Sequence, residues 1–162
     1  MSILVKPITD IEVIRQTITA PSVWKFAADD LSGDVEVFTP KREAFYLGSW
    51  GTDEDGCSRF LGMFMCSPVT GTVVDLHTCL LPAAWGEKAK ECAHATREWI
   101  WQNTPYTKVT GAIPANNRLL LKFTHDIGMS QYGVCKGAWL KNGKTWDLIL
   151  VEVNKEAPCQ QQ

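Results

Sequence analysis

The sequence lacks a long apolar run and a marked excess of either charge. Its apolar stretches stay well short of the roughly 18 residues that a membrane-spanning helix needs. Its 16 Lys and Arg residues and 18 Asp and Glu residues give a formal net charge of −2, whereas broad nucleic-acid binding requires a basic surface. Asp10 and Glu12 stand too early for a secretory signal peptide. We therefore expect a cytoplasmic protein that binds neither membranes nor nucleic acid.

Closely spaced metal ligands are also missing. The six cysteines contain no C-x-x-C pair, and the three histidines form no H-E-x-x-H motif. Structural zinc ligands usually come as such close pairs, so we expect no metal site. Most of the cysteines stand inside apolar runs, which favours buried, reduced thiols over disulfides.

The chain does contain enough apolar residues for one domain. Its 162 residues are 45% apolar, which is typical of a single domain with a substantial core. We expect this domain to occupy residues 1–154 and residues 155–162 to form a short polar tail.

The spacing of apolar residues predicts seven strands and four helices. Helices are expected to begin after Thr9 as a cap, at Pro21, after Gly86 and at Asn117. The predicted strands cover residues 3–6, 44–50, 58–66, 72–81, 108–113, 130–140 and 145–153. Asn142 and Gly143 form the turn of a closing hairpin. The resulting order is β-α-α-β-β-β-α-β-α-β-β.

The stretch LLPAAWGEKAKE, residues 80–91, joins the fourth strand to the third helix. The first turn of a helix offers free N–H groups and a positive dipole end, which together suit a phosphate. Gly86 is the only glycine here, no arginine is present, and Glu87 adds negative charge. Lys88 and Lys90 add positive charge, but unlike glycines they do not allow the backbone to approach a phosphate closely. A weakened phosphate site and an ordinary helix start therefore both remain open.

Three stretches together resemble one known family. In IPANNRLLLKFTHDIGM, Asn117 stands eleven residues before Gly128. GVCKGAWLKNGKTWDLILVEV carries Gly133 and Asp147 around a Lys-Asn-Gly-Lys turn, and VVDLHTCLLP precedes the Gly86 helix. In their order along the chain, over about residues 55–153, the three stretches resemble the GNAT superfamily of acyl-CoA-dependent N-acetyltransferases. The likeness is to ribosomal-protein-type acetyltransferases and to small GNAT-like proteins of tailed phages.

The resemblance implies an α/β (α+β) fold with a mixed, mostly antiparallel sheet of six or seven strands and about four helices. The fourth and fifth strands would splay apart, and acetyl-CoA or another acyl-CoA would lie in the gap. Trp85 would cover the pantetheine arm or plug the cleft where the phosphate would sit, and Asn117 would bind pantetheine or cap its own helix. The implied cofactor-binding residues are Cys79, Leu80, Leu81, Trp85, Gly86, Lys88, Lys90 and Asn117.

Transfer to an amine also needs a general base, because the attacking nitrogen must be neutral. A histidine side chain is suited to this role, so His77 is the candidate base, and Asp75 lies two residues away on the same face of the predicted strand. The alternative is a histidine that only satisfies hydrogen bonds. The resemblance places a tyrosine acid seven residues after Asn117, where this chain has Thr124, a poor acid. Tyr132 is a candidate substitute, or else a packing residue of the hairpin.

The sequence thus predicts an acyl-CoA-dependent N-acyltransferase in which an amine, on a small molecule or a protein, attacks the thioester directly. The alternative is a catalytically inactive GNAT-like scaffold that serves as a phage assembly or accessory protein. A homodimer or a phage assembly partner is compatible with either hypothesis.

Overall fold

The computed structural model describes residues 2–52 and 55–156 of the chain. Within these residues the seven strands and four helices occur in the predicted order. The strands are β1 (Ser2–Ile8), β2 (Phe45–Thr52), β3 (Ser58–Pro68), β4 (Val73–Leu80), β5 (Lys108–Pro114), β6 (Ser130–Lys141) and β7 (Lys144–Asn154). The helices are α1 (Ile11–Thr19), α2 (Pro21–Ala27), α3 (Glu87–Asn103) and α4 (Arg118–Asp126). Short 3-10 turns at Val35–Val37 and Pro82–Ala84 were not expected from the sequence.

All seven strands form one sheet in the order β1-β2-β3-β4-β5-β7-β6. Neighbouring strands are antiparallel except for β4 and β5, which are parallel. A parallel pair needs a long crossover connection, and α3 supplies it between these two strands. The prediction of a mixed, mostly antiparallel sheet is therefore confirmed.

Helices cover both faces of the sheet, so side chains that alternate along β3 and β4 enter two separate cores. On one face, which we call the α2 face, α1 and α2 pack against Met63, Met65 and Cys79. On the opposite face, the α3 face, Val74 and Leu80 belong to the larger core with α3. Successive residues of β4 therefore pack into different cores.

Three of the four predicted helix starts hold, at Pro21, Gly86 and Asn117, and one is wrong. Pro21 begins α2, and the side chain of Asn117 caps α4 by accepting from the Leu120 N–H at 3.1 Å. Thr9 does not cap α1. Asp10 does, because its carboxylate accepts from the N–H groups of Glu12 and Val13 at 2.9 and 3.3 Å.

The cysteines divide into two groups. Cys66, Cys79 and Cys92 are buried thiols, as expected, and burial raises the pKa of Cys79 to about 12. Cys57 and Cys135 are exposed, contrary to the expectation, and each is a free thiol. Cys159 lies outside the described residues.

Strand β7 ends at Asn154, and Lys155 after it is held by two hydrogen bonds. The Lys155 N–H donates to the Thr107 carbonyl at 2.8 Å, and its Nζ donates to the Trp101 carbonyl at 2.7 Å. Residues 157–162 of the predicted tail lie outside the described part. Within residues 2–52 and 55–156, the structure contains no helix with the length and apolar character needed to cross a membrane.

Gly62 lets β3 pass unusually close to the end of β4. Its φ is +116°, and a Cβ there would lie 2.5 Å from the Cys79 carbonyl oxygen and 2.7 Å from the Leu80 Cα. The same contact region contains the hydrogen bond from the Leu81 N–H to the Leu61 carbonyl, at 2.9 Å. A glycine is needed here because both the backbone angle and the space exclude a side chain.

We expect Gly62→Ala to destabilise the fold by about 1–3 kcal/mol, since it adds backbone strain and a clash with β4 backbone. Urea unfolding followed by circular dichroism measures this change. Gly71→Ala is the matched control, because a Cβ there meets nothing within 4 Å and the φ of Gly71 is not positive. Equal losses in the two variants would contradict the close approach at Gly62.

Candidate active site

A cleft opens where β4 and β5 separate. The two strands pair only from Val73 to Asp75, opposite residues 108–110, and residues 76–80 of β4 continue with a partner strand on the β3 side alone. The opening has a volume of about 140 Å³ and is lined from both faces of the sheet. Phe26 and Trp139 line it on the α2 face, and α3 and α4 line it on the other. The splayed strands implied by the family resemblance are present.

His77 lies at this cleft and is paired with Asp75. Its Nε2 is 3.2 Å from the Asp75 Oδ2, and its side chain is 47% exposed. Because a carboxylate can only accept hydrogen bonds, we infer that the ring nitrogen that faces it carries the proton. Nδ1 is consequently the nitrogen left free to accept a proton. The structure brings together the two residues that the sequence placed on one face of the strand.

Thr110 holds the other oxygen of the same carboxylate. Its hydroxyl donates to the Asp75 Oδ1 at 2.8 Å, and Thr110 is opposite Asp75 in the β4–β5 register. The side chain is buried and lines the cleft. Sequence reasoning missed Thr110, because the register between two strands separated by a helix is not visible in local patterns. A threonine in the strand after the crossover was the only available signal.

Tyr132 does not lie at the cleft. It stands on β6 at the register shift between Gln131 and Gly133, is 52% exposed, and is not among the cleft-lining residues. Thr124 does line the cleft, but its hydroxyl already donates to the Leu121 carbonyl at 2.9 Å. The expectation that Tyr132 would stand near the reacting groups therefore has no support from its position.

The backbone at the end of β4 is less available than expected. The Leu81 N–H donates to the Leu61 carbonyl at 2.9 Å, and the Leu81 carbonyl accepts from the Ala84 N–H at 2.8 Å. The Leu80 carbonyl accepts from the Trp85 indole N–H at 3.3 Å. The backbone groups that lack a strand partner on the β5 side are therefore those of residues 76–79, which precede Leu81 in the chain.

Trp85 does not line the opening between β4 and β5. It is 52% exposed and is absent from the residues that line this opening. Its indole N–H instead donates to the Leu80 carbonyl at the end of β4. Both roles considered for this residue, covering the pantetheine arm and filling the phosphate position, stay predictions.

The start of α3 retains the features of an anion site. Gly86 is the cap residue with a φ of +84°, and a Cβ there would meet nothing within 4 Å. No side chain caps this end of the helix. The first backbone bond is from the Ala89 N–H to the Gly86 carbonyl, so the preceding amides of Glu87 and Lys88 have no helical acceptor.

Lys90 is occupied by carboxylates. Its Nζ lies 2.8 Å from the Glu87 Oε1 and 3.4 Å from the Asp126 Oδ2, at the end of α4. The hydrogen bond with Glu87, supported by Asp126, raises the pKa of Lys90. Lys122, and then Lys90, lowers the pKa of Asp126. Lys88 forms no ion pair within the described residues and is the freer of the two predicted lysines.

The side chains of the remaining two predicted residues make contacts within the fold, and their cofactor-binding roles stay predictions. Asn117 caps α4 through its side-chain oxygen, which is one of the two roles that the sequence left open. Cys79 lines the cleft and also belongs to the α2-face core. Its raised pKa keeps the thiol protonated near neutral pH, so it is a packing residue rather than a nucleophile.

Comparisons with known proteins place this geometry in a familiar fold. No protein-family model and no curated protein matches the sequence. Among solved structures, the chain is similar to the spermidine N-acetyltransferase from Vibrio cholerae in complex with CoA and spermine. That match has 8% identity and a TM-score of 0.75, and covers 95% of this chain and 96% of the other. The chain has the GNAT fold.

Two further structures support the GNAT fold over the whole chain. The ribosomal-protein-S5-alanine acetyltransferase from Vibrio fischeri has 17% identity and a TM-score of 0.72, with 98% of this chain and 97% of the other covered. A GNAT-family acetyltransferase from Bacillus anthracis has 15% identity and a TM-score of 0.68, with 97% of both chains covered. The resemblance stated from the sequence is thereby confirmed at the level of fold.

We expect Thr110→Val to loosen the Asp75–His77 pair without changing the shape of the strand. Valine matches threonine in size but cannot donate to the Asp75 Oδ1. Nitrogen-15 NMR of His77 should then change from the Nε2–H tautomer alone to a mixture of both tautomers. Thr110→Ser retains the hydroxyl and should give the native spectrum. A native spectrum in the valine variant would show that Thr110 does not position the pair.

Proposed function

We propose that this protein is an acyl-CoA-dependent N-acyltransferase that transfers an acetyl group, or another acyl group, directly to an amine. The observation that carries the proposal is the open cleft between β4 and β5 with the Asp75–His77 pair beside it. Several solved structures with the same fold are N-acetyltransferases, one of them in complex with CoA. Their identity to this chain is low, so the site geometry has to support the activity by itself.

The residues around the cleft fit an acyl-CoA in two places. Unpaired backbone at residues 76–79 would hold the pantetheine arm through its amide groups, as an added strand would be held. The first-turn amides after Gly86, with Lys88 nearby, would hold the diphosphate. When bound, the cofactor supplies the acyl group as a thioester. Glu87 and the occupied Lys90 weaken this fit without closing the site.

His77 would act as the general base. An amine that arrives as an ammonium must lose a proton before its nitrogen can attack. Nδ1 of His77 accepts that proton, and the nearby Asp75 carboxylate stabilises the imidazolium that results. Thr110 keeps the carboxylate turned toward the ring. The chain thus supplies a base and a counter-charge close to each other, and Thr110 fixes the orientation of the carboxylate.

Acetyl-CoA should raise the melting temperature of the protein, because a ligand that binds only the folded state stabilises it by mass action. At 100 times Kd the stabilisation is about 2.7 kcal/mol. His77→Ala should keep this thermal shift while lowering kcat about 10²–10⁴-fold with an amine acceptor. His125→Ala is the control, since that side chain is 87% exposed on α4 and does not line the cleft.

Two results would overturn the assignment. No thermal shift at millimolar acetyl-CoA would favour the alternative of an inactive GNAT-like scaffold. That alternative includes a phage assembly or accessory role, which rests on the sequence resemblance alone. Native activity in His77→Ala, with the thermal shift intact, would remove His77 from the mechanism but leave the cofactor site standing.

We expect Glu87→Gln to tighten acetyl-CoA binding about two- to fivefold, since it removes a negative charge near the proposed diphosphate and leaves Lys90 with Asp126 as its one carboxylate partner within the described residues. Isothermal titration calorimetry measures the change in Kd. Glu98→Gln is the matched control, because Glu98 lies on the same helix and bonds only Gln102 within the described residues. An unchanged or weaker Kd in Glu87→Gln would mean that the diphosphate does not bind at this helix end.

A further inference from the structure

The half of the cleft on the α2 face is apolar. Strand alternation and the β5–β7 register put Ala112 and Pro114 on the same face as Thr110 and His77. The residues that line this half, apart from His77 and Thr110, are Phe26, Ala27, Cys79, Ala112, Pro114 and Trp139. Two aromatic side chains therefore line the same half of the cleft as the base, and His77 is the only residue with an ionisable charge among those that line this half; its partner Asp75 lies behind it.

The charges around the whole cleft are few. Of the residues that line it within the described chain, only His77 and Arg97 are basic, and none is a carboxylate. Arg97 belongs to the α3 face, where it donates to the Ile127 carbonyl at 2.7 Å. The nearest carboxylate, Asp75, is already paired with His77 and Thr110. A second ammonium group on an acceptor would therefore lose water without gaining a partner, which is costly.

The aromatic walls are held in place by a tie between α2 and the β6–β7 hairpin. The Asp30 carboxylate accepts from the N–H groups of Asn142 and Gly143 at 2.9 and 2.8 Å. The Asp30 N–H donates to the Leu140 carbonyl at 2.9 Å, and Lys141 Nζ reaches the Ala28 carbonyl. The residues that form these bonds directly follow Phe26 and Ala27 on one side and Trp139 on the other. The pocket is thus largely formed before any acceptor binds.

We infer that the acceptor is a monoamine carried on an aromatic or alkyl body, with the body against Phe26 and Trp139 and the nitrogen at His77. This inference rests on the proposed function and adds the acceptor class. The amine nitrogen forms a bond to the thioester carbonyl carbon while the carbon–sulfur bond breaks. The ammonium proton has by then passed through His77 to solvent, so the proton that the nitrogen loses as the amide forms goes to His77 Nδ1. The electron pair of the broken bond leaves with the sulfur as a thiolate, which takes up a proton from solvent while His77 returns its own. The products are an amide and free CoA.

The test compares two amines with acetyl-CoA as donor: 2-phenylethylamine, with one charge, and spermidine, with three. We expect kcat/KM for 2-phenylethylamine to exceed that for spermidine by at least about tenfold, because the apolar pocket leaves further ammonium groups unpaired. Trp139→Ala should raise KM for 2-phenylethylamine about tenfold or more. The acetyl-CoA thermal shift should be unchanged, which also reports that the variant is folded. Val37→Ala, an exposed residue outside the cleft, is the control.

A charge-introducing variant makes the test independent of lost packing. Phe26 is 48% exposed, so Phe26→Glu should fold and place a carboxylate in the acceptor pocket. We expect the preference to move toward spermidine. If the wild-type protein prefers spermidine, or Phe26→Glu leaves the ratio unchanged while acetyl-CoA still shifts the melting temperature, the acceptor class is wrong. If acetyl-CoA gives no shift in any form of the protein, the proposed function itself fails.

Discussion

The three-residue pairing between β4 and β5 is the constraint on which the candidate site depends. Parallel strands joined by a helix normally continue side by side, but here the pairing stops after Asp75, while β4 stays paired with β3 and β5 with β7. The separation leaves one edge of residues 76–79 without a strand partner and opens the sheet from one face to the other. Gly62 supports this geometry, because it lets β3 follow β4 to its end.

Two groups of paired side chains have different consequences for the candidate site. In the first, the Thr110 hydroxyl donates to Asp75 and the other carboxylate oxygen lies 3.2 Å from His77, which restricts the orientation of that ring. The second joins Lys90 to Glu87 and to Asp126 at the end of α4. These carboxylates neutralise positive charge that would otherwise attract an anion. The site is therefore well ordered at the proposed base and weakly attractive at the proposed phosphate position. Both properties follow from pairing, since the same side chains without partners would behave differently.

Local patterns predicted the elements well and the contacts between them poorly. The order of strands and helices, the cap at Asn117 and the shared face of Asp75 and His77 all follow from spacings within one element. Tyr132 was placed near the site by its position after α4, but the shift in the β6–β7 register turns it elsewhere. Leu81 was expected to bind through its backbone, yet its amide is taken by β3, a partner that no pattern in residues 72–81 reveals.

The sequence by itself determined the number and order of the elements, the glycine at the start of α3 and the pairing of a histidine with a carboxylate two residues away. These depend on periods of two and of about 3.6 residues, which are local properties of the backbone. Only the tertiary structure decided which strand ends separate, that Thr110 lies beside Asp75, and that Phe26 and Trp139 face the same pocket. Those contacts join residues 35 to 113 positions apart, and their formation depends on how the whole sheet twists and packs rather than on any single segment.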